Sequence, residues 1–193
     1  KLMDAGFTFT HESLYAAIKN EVRPQSVTIE RIIATDSRSE GSEIGQYRLK
    51  AKVTINTNSR EVFDFFSSPL NLGLSTPRWL GFQITDMPEK IVKGSEISYR
   101  INLGLLPLTW RSVILQWNPD QYFVDQQVKG PYKLWHHEHR IIANSPDTSV
   151  MEDSVIYIVP GWIFGRLIHF LFIRRFLIRI FAYRRSVIQL MFR

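Results

Sequence analysis

The residues of this chain whose types and spacing best suit chemistry form the run His136-His137-Glu138-His139. Successive side chains of a β-strand point to opposite faces, so His137 and His139 share one face of a strand. Two histidines at this spacing can ligate zinc or copper, but a metal site needs a third protein ligand, and no adjacent residue of that face supplies one. We therefore predict no metal. In a pocket, either histidine could act as a general acid or base or hydrogen-bond a ligand; the alternative is that both are structural or exposed.

Polar side chains on two other predicted strands could complete such a site. Asp125 and Gln127 share one face of their strand, and Asp153 lies among apolar residues of the last strand. A carboxylate in apolar surroundings needs a partner, which Arg100 or Arg111 could provide. Such a pair would either polarise a carbonyl group of a ligand or hold the strands in register. The catalytic candidates are His137, His139, Asp125 and Arg111.

Large aromatic side chains are candidates for the walls of an apolar pocket. Tyr99, Trp110, Trp135 and Tyr157 are predicted to line it, with ordinary core packing as the alternative. The sequence has no phosphate-binding loop, no G-x-G-x-x-G fingerprint and no Ser-His-Asp order, so we predict no cofactor. The predicted ligand-binding residues are Tyr99, Trp110, Arg111, Asp125, Gln127, Trp135, His137, His139, Asp153 and Tyr157.

Alternating apolar residues predict the strands that carry these side chains. The clearest alternation covers 46–55. A short helix, capped by Asn58 or Ser59, is predicted over 60–67, with a second short helix or turn over 70–77. Brief connections between the later strands predict antiparallel hairpins. Those strands are predicted at 79–85, 91–103, 108–117, 122–128, 132–142 and 150–159.

Residues 161–193 predict one long amphipathic helix that covers the sheet. Further apolar residues and seven arginines lie outside its apolar stripe or flank it, and no Asp or Glu occurs after Asp153. The helix is not a predicted membrane span, because Arg174, Arg175 and Arg179 interrupt every window of about 20 residues. The predicted core stripe is Leu167, Phe170, Ile173, Leu177, Ile180, Phe181, Ile188 and Met191.

The outer face of this helix has two interpretations. In one, neighbouring loops cover it. In the other, it is a surface that meets anionic lipid, a partner protein or a second copy of the chain. The residues of that predicted membrane or partner surface are Phe172, Arg175, Phe176 and Arg179.

Length and composition limit the classes of protein. The 193 residues, 45% of them hydrophobic, suffice for one domain with a sizeable core and an appendage. The formal charge of +6 is concentrated in the last helix, which argues against a nucleic-acid partner. Without cysteine, disulfides and thiolate chemistry are excluded. This composition fits a reducing compartment. We predict a cytoplasmic protein without a signal peptide, with membrane association as the alternative.

A set of motifs in a defined order covers residues 46–193. They resemble the polyketide cyclase/dehydrase branch of the SRPBCC (START-like) superfamily. The resemblance implies an α+β helix-grip fold: a curved antiparallel sheet of about six or seven strands wraps a long C-terminal helix, and two short helices follow the first strand. It also implies a pocket between sheet and helix for a hydrophobic small molecule. The motifs include Val62-Phe63-Asp64-Phe65-Phe66-Ser67-x-Pro69, Gly94-Ser95-Glu96-Ile97-x-Tyr99-Arg100, Phe123-Val124-Asp125-x-Gln127, Gly130-Pro131-Tyr132-x-x-Trp135-x-His137-x-His139 and Ile180-Phe181-x-Tyr183-Arg184.

The opening segment KLMDAGFTFTHESLYAAIKNEV resembles the closing segment of NAD(P)-dependent epimerase-like short-chain reductases. The resemblance implies that 1–25 is the tail of an upstream reductase domain, 26–45 a linker and 46–193 the ligand-binding domain. Members of the SRPBCC branch occur fused to such reductases, so the two resemblances support each other. The alternative for the opening segment is an unremarkable strand and helix.

These features favour a binding module over an enzyme. The leading hypothesis is a module that holds a lipid, isoprenoid or polyketide-like molecule and serves an epimerase-like reductase. One alternative is a cyclase or dehydratase with His137 or His139 as base and Asp125 or Arg111 orienting the substrate. The other is a peripheral membrane or protein-interaction module that acts through the cationic helix.

Overall fold

The computed structural model describes residues 27–32, 46–103 and 106–192. The reductase-like segment 1–25 and most of the predicted linker lie outside these residues, and their assignment stays a prediction. The described elements are β1 (Val27–Arg31), β2 (Gln46–Ile55), α1 (Ser59–Ser67), α2 (Pro69–Leu74), a 3-10 turn (Arg78–Leu80), β3 (Gln83–Asp86), β4 (Glu96–Leu103), β5 (Leu106–Asn118), β6 (Tyr122–Lys129), β7 (Leu134–Ser145), β8 (Thr148–Ile158), α3 (Trp162–Ile168), a π-helical segment (His169–Ile173) and α4 (Arg174–Met191).

The strands form one curved antiparallel sheet with the order β1-β2-β8-β7-β6-β5-β4-β3. This sheet and the long C-terminal helix confirm the predicted helix-grip fold. The described sheet has eight strands, where six or seven were expected. The strand β1 lies inside the segment interpreted as a linker, and it pairs with β2, with Val27 opposite Ala51.

Local sequence explains why these elements form where they do. Along β2, Leu49, Val53 and Ile55 are buried while the residues between them face outward, as the alternation predicted. The side chain of Asn58 accepts a hydrogen bond from the Glu61 N–H at 3.0 Å, which caps α1. A proline opens α2 at the position where its missing N–H costs no helix hydrogen bond.

The C-terminal helix continues through α3, the π-helical segment and α4. Its inward-facing positions recur every fourth residue at the start: Gly165 and His169 are buried, Ile173 is half-buried, and Leu177 and Phe181 are buried. A π-helical turn accommodates one extra residue, which rotates the preceding turns relative to a regular α-helix. The predicted core stripe is therefore wrong at Leu167 and Phe170, which are exposed. Ile188 and the other stripe residues of α4 are buried or half-buried.

The core divides into two apolar clusters, both between sheet and helix. One cluster is rich in aromatic residues and includes Trp110, Trp135 and Tyr157, with Leu177 and Phe181 of α4 packed on it. The other joins α1 to β2, β6, β7 and β8 and to the last turns of α4. Both clusters contribute to the wall of the cavity that lies between them.

Candidate functional site

A cavity of about 670 Å³ lies between the inner face of the sheet and the C-terminal helix. Its walls come from α1, α2, strands β4 to β7, the π-helical segment and α4, and they are mostly apolar. Among the described residues that line it, Ile168 and Phe172 are the exposed ones. The mouth of the cavity therefore lies beside the start of the C-terminal helix.

Polar side chains are gathered at one part of the wall, where β6, β7 and β8 run side by side. In the sheet register, Asp125 lies opposite His137, and His139 lies opposite Asp153. All four side chains point to the helix side of the sheet, because strand residues two apart share a face. We call Asp125, His137, His139 and Asp153 the His–Asp cluster. Arg184 of α4 reaches it from above.

The closest contacts within the His–Asp cluster run diagonally between strands. His137 Nε2 donates to Asp153 Oδ1 at 2.9 Å, and His139 Nε2 donates to Asp125 Oδ2 at 2.9 Å. The two imidazole rings lie 3.7 Å apart, centroid to centroid. The second nitrogen of His137, Nδ1, is 3.7 Å from Asp125 Oδ2, which is too long for a hydrogen bond.

His139 Nδ1 has two neighbours of opposite charge. It lies 3.2 Å from Arg184 Nη2 and 3.1 Å from Asp153 Oδ1. A guanidinium only donates, so Nδ1 accepts from Arg184 when His139 is neutral. The Asp153 carboxylate lies beside the same nitrogen, so His139 links Arg184, Asp125 and Asp153.

Burial and charge set the protonation of the other members. Burial alone would raise the pKa of Asp153, but the positive charge of Arg184 and the hydrogen bonds from the histidines hold it well below its ordinary value. Burial also opposes ionisation of Asp125, whose pKa is nevertheless lowered, chiefly by the hydrogen bond from His139. Burial, assisted by the charge of His139, lowers the pKa of His137 to about 4. His137 is thus neutral at neutral pH, between two carboxylates.

The charged groups of the site do not balance. Two carboxylates, those of Asp125 and Asp153, face the one guanidinium of Arg184. The cluster presents a free acceptor to a polar group in the cavity, because Nδ1 of His137 has no hydrogen-bond partner within the cluster.

The same geometry bears on metal binding. One ligand atom each of Asp125, His137 and His139 lies within 4.8 Å of the others. The sequence next to the two histidines contains no third metal ligand on their face of the strand. In the folded protein, Asp125 of the neighbouring strand β6 lies close enough to be that ligand. Two imidazoles and a carboxylate suit several divalent metals. Arg184 already places a positive charge beside His139, which opposes the binding of a second cation there. Absence of a metal stays a prediction.

Three of the predicted aromatic residues line the cavity. Trp110 and Trp135 are buried in its wall, and Tyr99 stacks on Trp110 with ring centroids 5.8 Å apart. The indole N–H of Trp110 donates to Ser112 Oγ at 3.0 Å, so this polar atom is satisfied inside the wall. The remaining wall is apolar or aromatic apart from Asp125, His137, His139, Arg184, Asn71 and a few serine and threonine side chains.

The prediction that Arg111 faces the pocket is wrong. Arg111 is exposed on the outer face of β5 and pairs with Glu96 at 3.4 Å. Its neighbours Trp110 and Ser112 are buried on the inner face, and adjacent strand residues cannot share a face. Arg100 is likewise exposed and holds no cluster carboxylate. The cationic partner of the cluster is Arg184 instead.

Two other predicted ligand-binding residues have structural contacts and do not line the cavity. Gln127 Nε2 donates to the Tyr132 carbonyl at 2.6 Å, and its Oε1 accepts from the Tyr132 N–H at 3.3 Å, which holds the β6–β7 turn. The Tyr157 hydroxyl lies 2.8 Å from His169 Nε2 and joins the sheet to the π-helical segment. Asp153 lines only a small space beneath α4, behind the histidines.

Sequence reasoning missed two residues that contact the site or its supports, Arg184 and His169. Both are buried in the helix. For Arg184 a signal existed, because it lies between Phe181 and Ile188 on the predicted core stripe, and a buried arginine requires an acidic partner. For His169 the sequence contained no comparable signal. A regular helical period predicts that Phe170, and not its neighbour His169, faces the core.

The predicted membrane or partner surface is divided between two roles. Phe172 lies at the cavity mouth, and Arg175 is exposed. Phe176 packs edge-on against the Trp79 ring at 4.7 Å, and the Arg179 guanidinium lies over the same ring at 5.4 Å. Phe176 and Arg179 thus also hold the 3-10 turn against α4.

No protein-family model matches the chain, and neither does any curated protein. Solved structures do match it. Norcoclaurine synthase from Thalictrum flavum, in complex with dopamine and hydroxybenzaldehyde, matches with a TM-score of 0.53 and 9% identity, over 94% of this chain and 95% of that one. The ZhuI aromatase/cyclase from Streptomyces sp. R1128 has a TM-score of 0.55 and 11% identity, over 74% of this chain and 93% of that one. The di-domain aromatase/cyclase StfQ of the steffimycin biosynthetic pathway has a TM-score of 0.58 and 10% identity, over 75% of this chain and 50% of that one.

At these identities the matches show a shared fold. That fold is the helix-grip fold that the resemblance implied. A fold of this kind hosts several functions, so the activity of this chain has to be argued from its own site.

Proposed function

We propose that the protein binds an apolar small molecule with one polar end, held in the cavity with that end at the His–Asp cluster. The observation that carries the proposal is the combination of a largely apolar cavity of about 670 Å³ with buried ionisable groups at one part of its wall. Ligand pockets commonly have this size and this division between apolar walls and few polar groups.

The chemistry of the walls indicates the class of ligand. Trp110, Trp135 and Tyr99 present flat aromatic surfaces that stack on rings or pack against polyunsaturated chains. A hydroxyl group at the cluster would donate a hydrogen bond to His137 Nδ1, which has no hydrogen-bond partner within the cluster. A polyketide-like or isoprenoid molecule with a single oxygen function meets both conditions. The complex of the matched norcoclaurine synthase with dopamine and hydroxybenzaldehyde lends support, since both are small aromatic molecules with polar groups.

Ligand binding can be tested by native and denaturing mass spectrometry of the purified chain, with organic extraction of any mass lost on denaturation. Binding of the uncharged fluorescent probe N-phenyl-1-naphthylamine tests the empty protein. The variant Ile97→Trp fills the cavity from β4, and Ser98→Trp is the matched control, because the neighbouring residue does not line the cavity. Loss of probe binding in Ile97→Trp alone supports the proposal. Equal binding by both variants would exclude this cavity as the site.

A second candidate function is acid–base catalysis on the bound molecule. The specific observation is that the Nε2–H of His137 is held by Asp153 at 2.9 Å, while its Nδ1 has no hydrogen-bond partner within the cluster. Burial lowers the pKa of His137, which favours the neutral imidazole that a base requires. A neutral imidazole oriented by a carboxylate is the arrangement of a general base. His137 Nδ1 would remove a proton next to a carbonyl group, with Asp153 as a positioning residue behind it.

Proton abstraction can be measured without knowing the natural substrate. The bicyclic ketone 2-tetralone has acidic hydrogens next to its carbonyl group, and in D2O a base catalyst exchanges them for deuterium, which NMR detects. His137 takes the proton, the enolate forms, and solvent deuterium replaces the lost hydrogen. We expect exchange that is lost in His137→Asn and kept in His136→Asn, which alters the histidine on the other face. Absence of exchange for both 2-tetralone and any extracted ligand would leave binding as the function.

A further inference from the structure

An exposed apolar surface surrounds the start of the C-terminal helix beside the cavity mouth. Phe164 is 77% exposed, Phe170 72% and Phe172 66%. We call this surface the mouth face; its members are Ile163, Phe164, Leu167, Phe170, Leu171 and Phe172, all of them exposed.

The helix carrying the mouth face is held to the domain by a narrow strip. From Ile163 to Ile173, Gly165 and His169 are the buried residues, and Ile173 is half-buried. The His169 ring stacks on Tyr47 with centroids 3.5 Å apart and contacts the Tyr157 hydroxyl at 2.8 Å. The segment is therefore fixed in place, and its apolar side chains project away from the domain. Exposed apolar surfaces of this extent mark sites of interaction with proteins or membranes.

Charge decides between the classes of partner. Arg166, Arg174, Arg175 and Arg179 lie along the same helix and are exposed, and the sequence has no Asp or Glu after Asp153. Two copies meeting through this surface would bring arginine against arginine without a compensating acid from this segment. A bilayer with anionic headgroups satisfies the arginines and offers an apolar phase to the phenylalanines.

The position of the cavity mouth supplies an independent argument. Ile168 and Phe172 line the mouth and lie on the same turns as the mouth face. When this face lies in the interfacial layer of a membrane, the mouth opens toward the acyl chains. No helix of the described residues is long and apolar enough to cross a membrane, so the contact would be peripheral.

We propose that the mouth face docks the protein on an anionic membrane, and that an apolar ligand passes between the bilayer and the cavity through the mouth at Ile168 and Phe172. The docking step depends on the surface of the C-terminal helix and does not require that the cavity binds a ligand. The transfer step rests on the proposed function of the cavity, and it places the ligand among molecules that partition into membranes.

Docking is tested by co-sedimentation with vesicles of phosphatidylcholine alone and of phosphatidylcholine mixed with phosphatidylserine. We expect binding to the mixed vesicles that weakens as salt rises. The variant Phe164→Ser/Phe170→Ser/Phe172→Ser should reduce the affinity about tenfold or more. Arg174→Gln/Arg175→Gln should reduce the preference for phosphatidylserine. The control Val92→Ser/Val128→Ser/Ile142→Ser removes exposed apolar residues elsewhere and should bind like the unaltered protein.

The outcomes separate docking from ligand binding. Unaltered thermal unfolding of the serine variants shows that they are folded. The variant Ile97→Trp has a filled cavity and an unaltered mouth face, so it should still bind vesicles. Docking can therefore be tested even if the cavity binds no ligand. No binding to anionic vesicles at low salt, or equal binding by the mouth-face and control variants, would overturn docking. If the unaltered protein forms a dimer that the mouth-face variant disrupts, and binds no vesicles, the mouth face serves self-association and the docking proposal is overturned.

Discussion

His137 Nε2 lies 2.9 Å from Asp153 Oδ1, and this contact is behind the cavity wall, not inside the cavity. His137, His139 and Arg184 line the cavity, while Asp153 touches all three from the far side. Asp153 can therefore act on a ligand only through the histidines that it orients. The same carboxylate balances the charge of a buried arginine, so it serves stability as well as the site.

Replacement of Asp153 should destabilise the fold far more than replacement of its neighbour. Asp153→Asn leaves Arg184 buried without its carboxylate, and breaking a buried pair costs about 3–5 kcal/mol in free energy of unfolding. The control Glu152→Gln affects a partly exposed pair with Lys52 and should cost at most about 1 kcal/mol. Urea unfolding followed by fluorescence measures both. Equal effects would contradict the assignment of Asp153 to a buried pair.

The two arginines on opposite sides of the sheet should differ in the same way. Arg184 is buried against His139 and the Phe66 ring, whereas Arg111 is exposed beside Glu96. We expect Arg184→Gln to lower the free energy of unfolding by about 3 kcal/mol and Arg111→Gln by less than about 1 kcal/mol. Probe binding should change only in Arg184→Gln. A larger effect of Arg111→Gln would restore the sequence-based assignment.

The contact between Tyr157 and His169 should appear as a coupling energy. The tyrosine hydroxyl and the imidazole are buried and 2.8 Å apart. Tyr157→Phe, His169→Phe and the double variant form a cycle in which the coupling should be about 1 kcal/mol. A coupling near zero would mean that the hydrogen bond does not hold the π-helical segment to the sheet.

Stability should fall as the solution becomes mildly acidic. Burial lowers the pKa of His137 and of His169 to about 4 in the folded protein, below the value of about 6.5 in the unfolded chain. Between these values the unfolded chain binds more protons, so acid favours unfolding. From pH 7 to pH 5 each histidine should remove up to about 2 kcal/mol.

The contribution of one histidine can be removed by substitution. His169→Gln should remove about half of the loss between pH 7 and pH 5, because His137 remains in the chain. Asp125 and Asp153, with lowered pKa values, add to the loss only at more acidic pH. A free energy of unfolding that stays constant to pH 5 would contradict the neutral burial of both histidines.

A methyl group at Gly165 should loosen the start of the C-terminal helix. A Cβ atom there would collide with the Pro160 carbonyl oxygen, which belongs to the backbone and cannot rotate away. Gly165→Ala should destabilise the protein by about 1–3 kcal/mol and expose His169 to faster hydrogen exchange. Gly73→Ala in α2 is the control, because its added Cβ meets only Phe82 at 3.7 Å. It should be neutral or slightly stabilising.

Local patterns in the sequence determined the elements and the fold. Alternation along 46–55 placed Leu49, Val53 and Ile55 on the inner face, and the same rule put His137 and His139 together. These predictions succeed because side-chain direction in a strand depends only on the local backbone. The order of strands, two short helices and one long helix then leaves few ways to cover the apolar face of the sheet.

The site was decided by tertiary structure. Which face of β5 points inward depends on strand pairing, which put Trp110 in the wall and Arg111 outside. Sheet register brought Asp125 and Asp153 to the two histidines, and the packing of α4 supplied Arg184 in place of the predicted arginine. The π-helical segment, which exposed Phe170 and buried His169, breaks the regular period from which helix faces are predicted. Each of these depends on contacts between residues distant in sequence, which local periodicity does not contain.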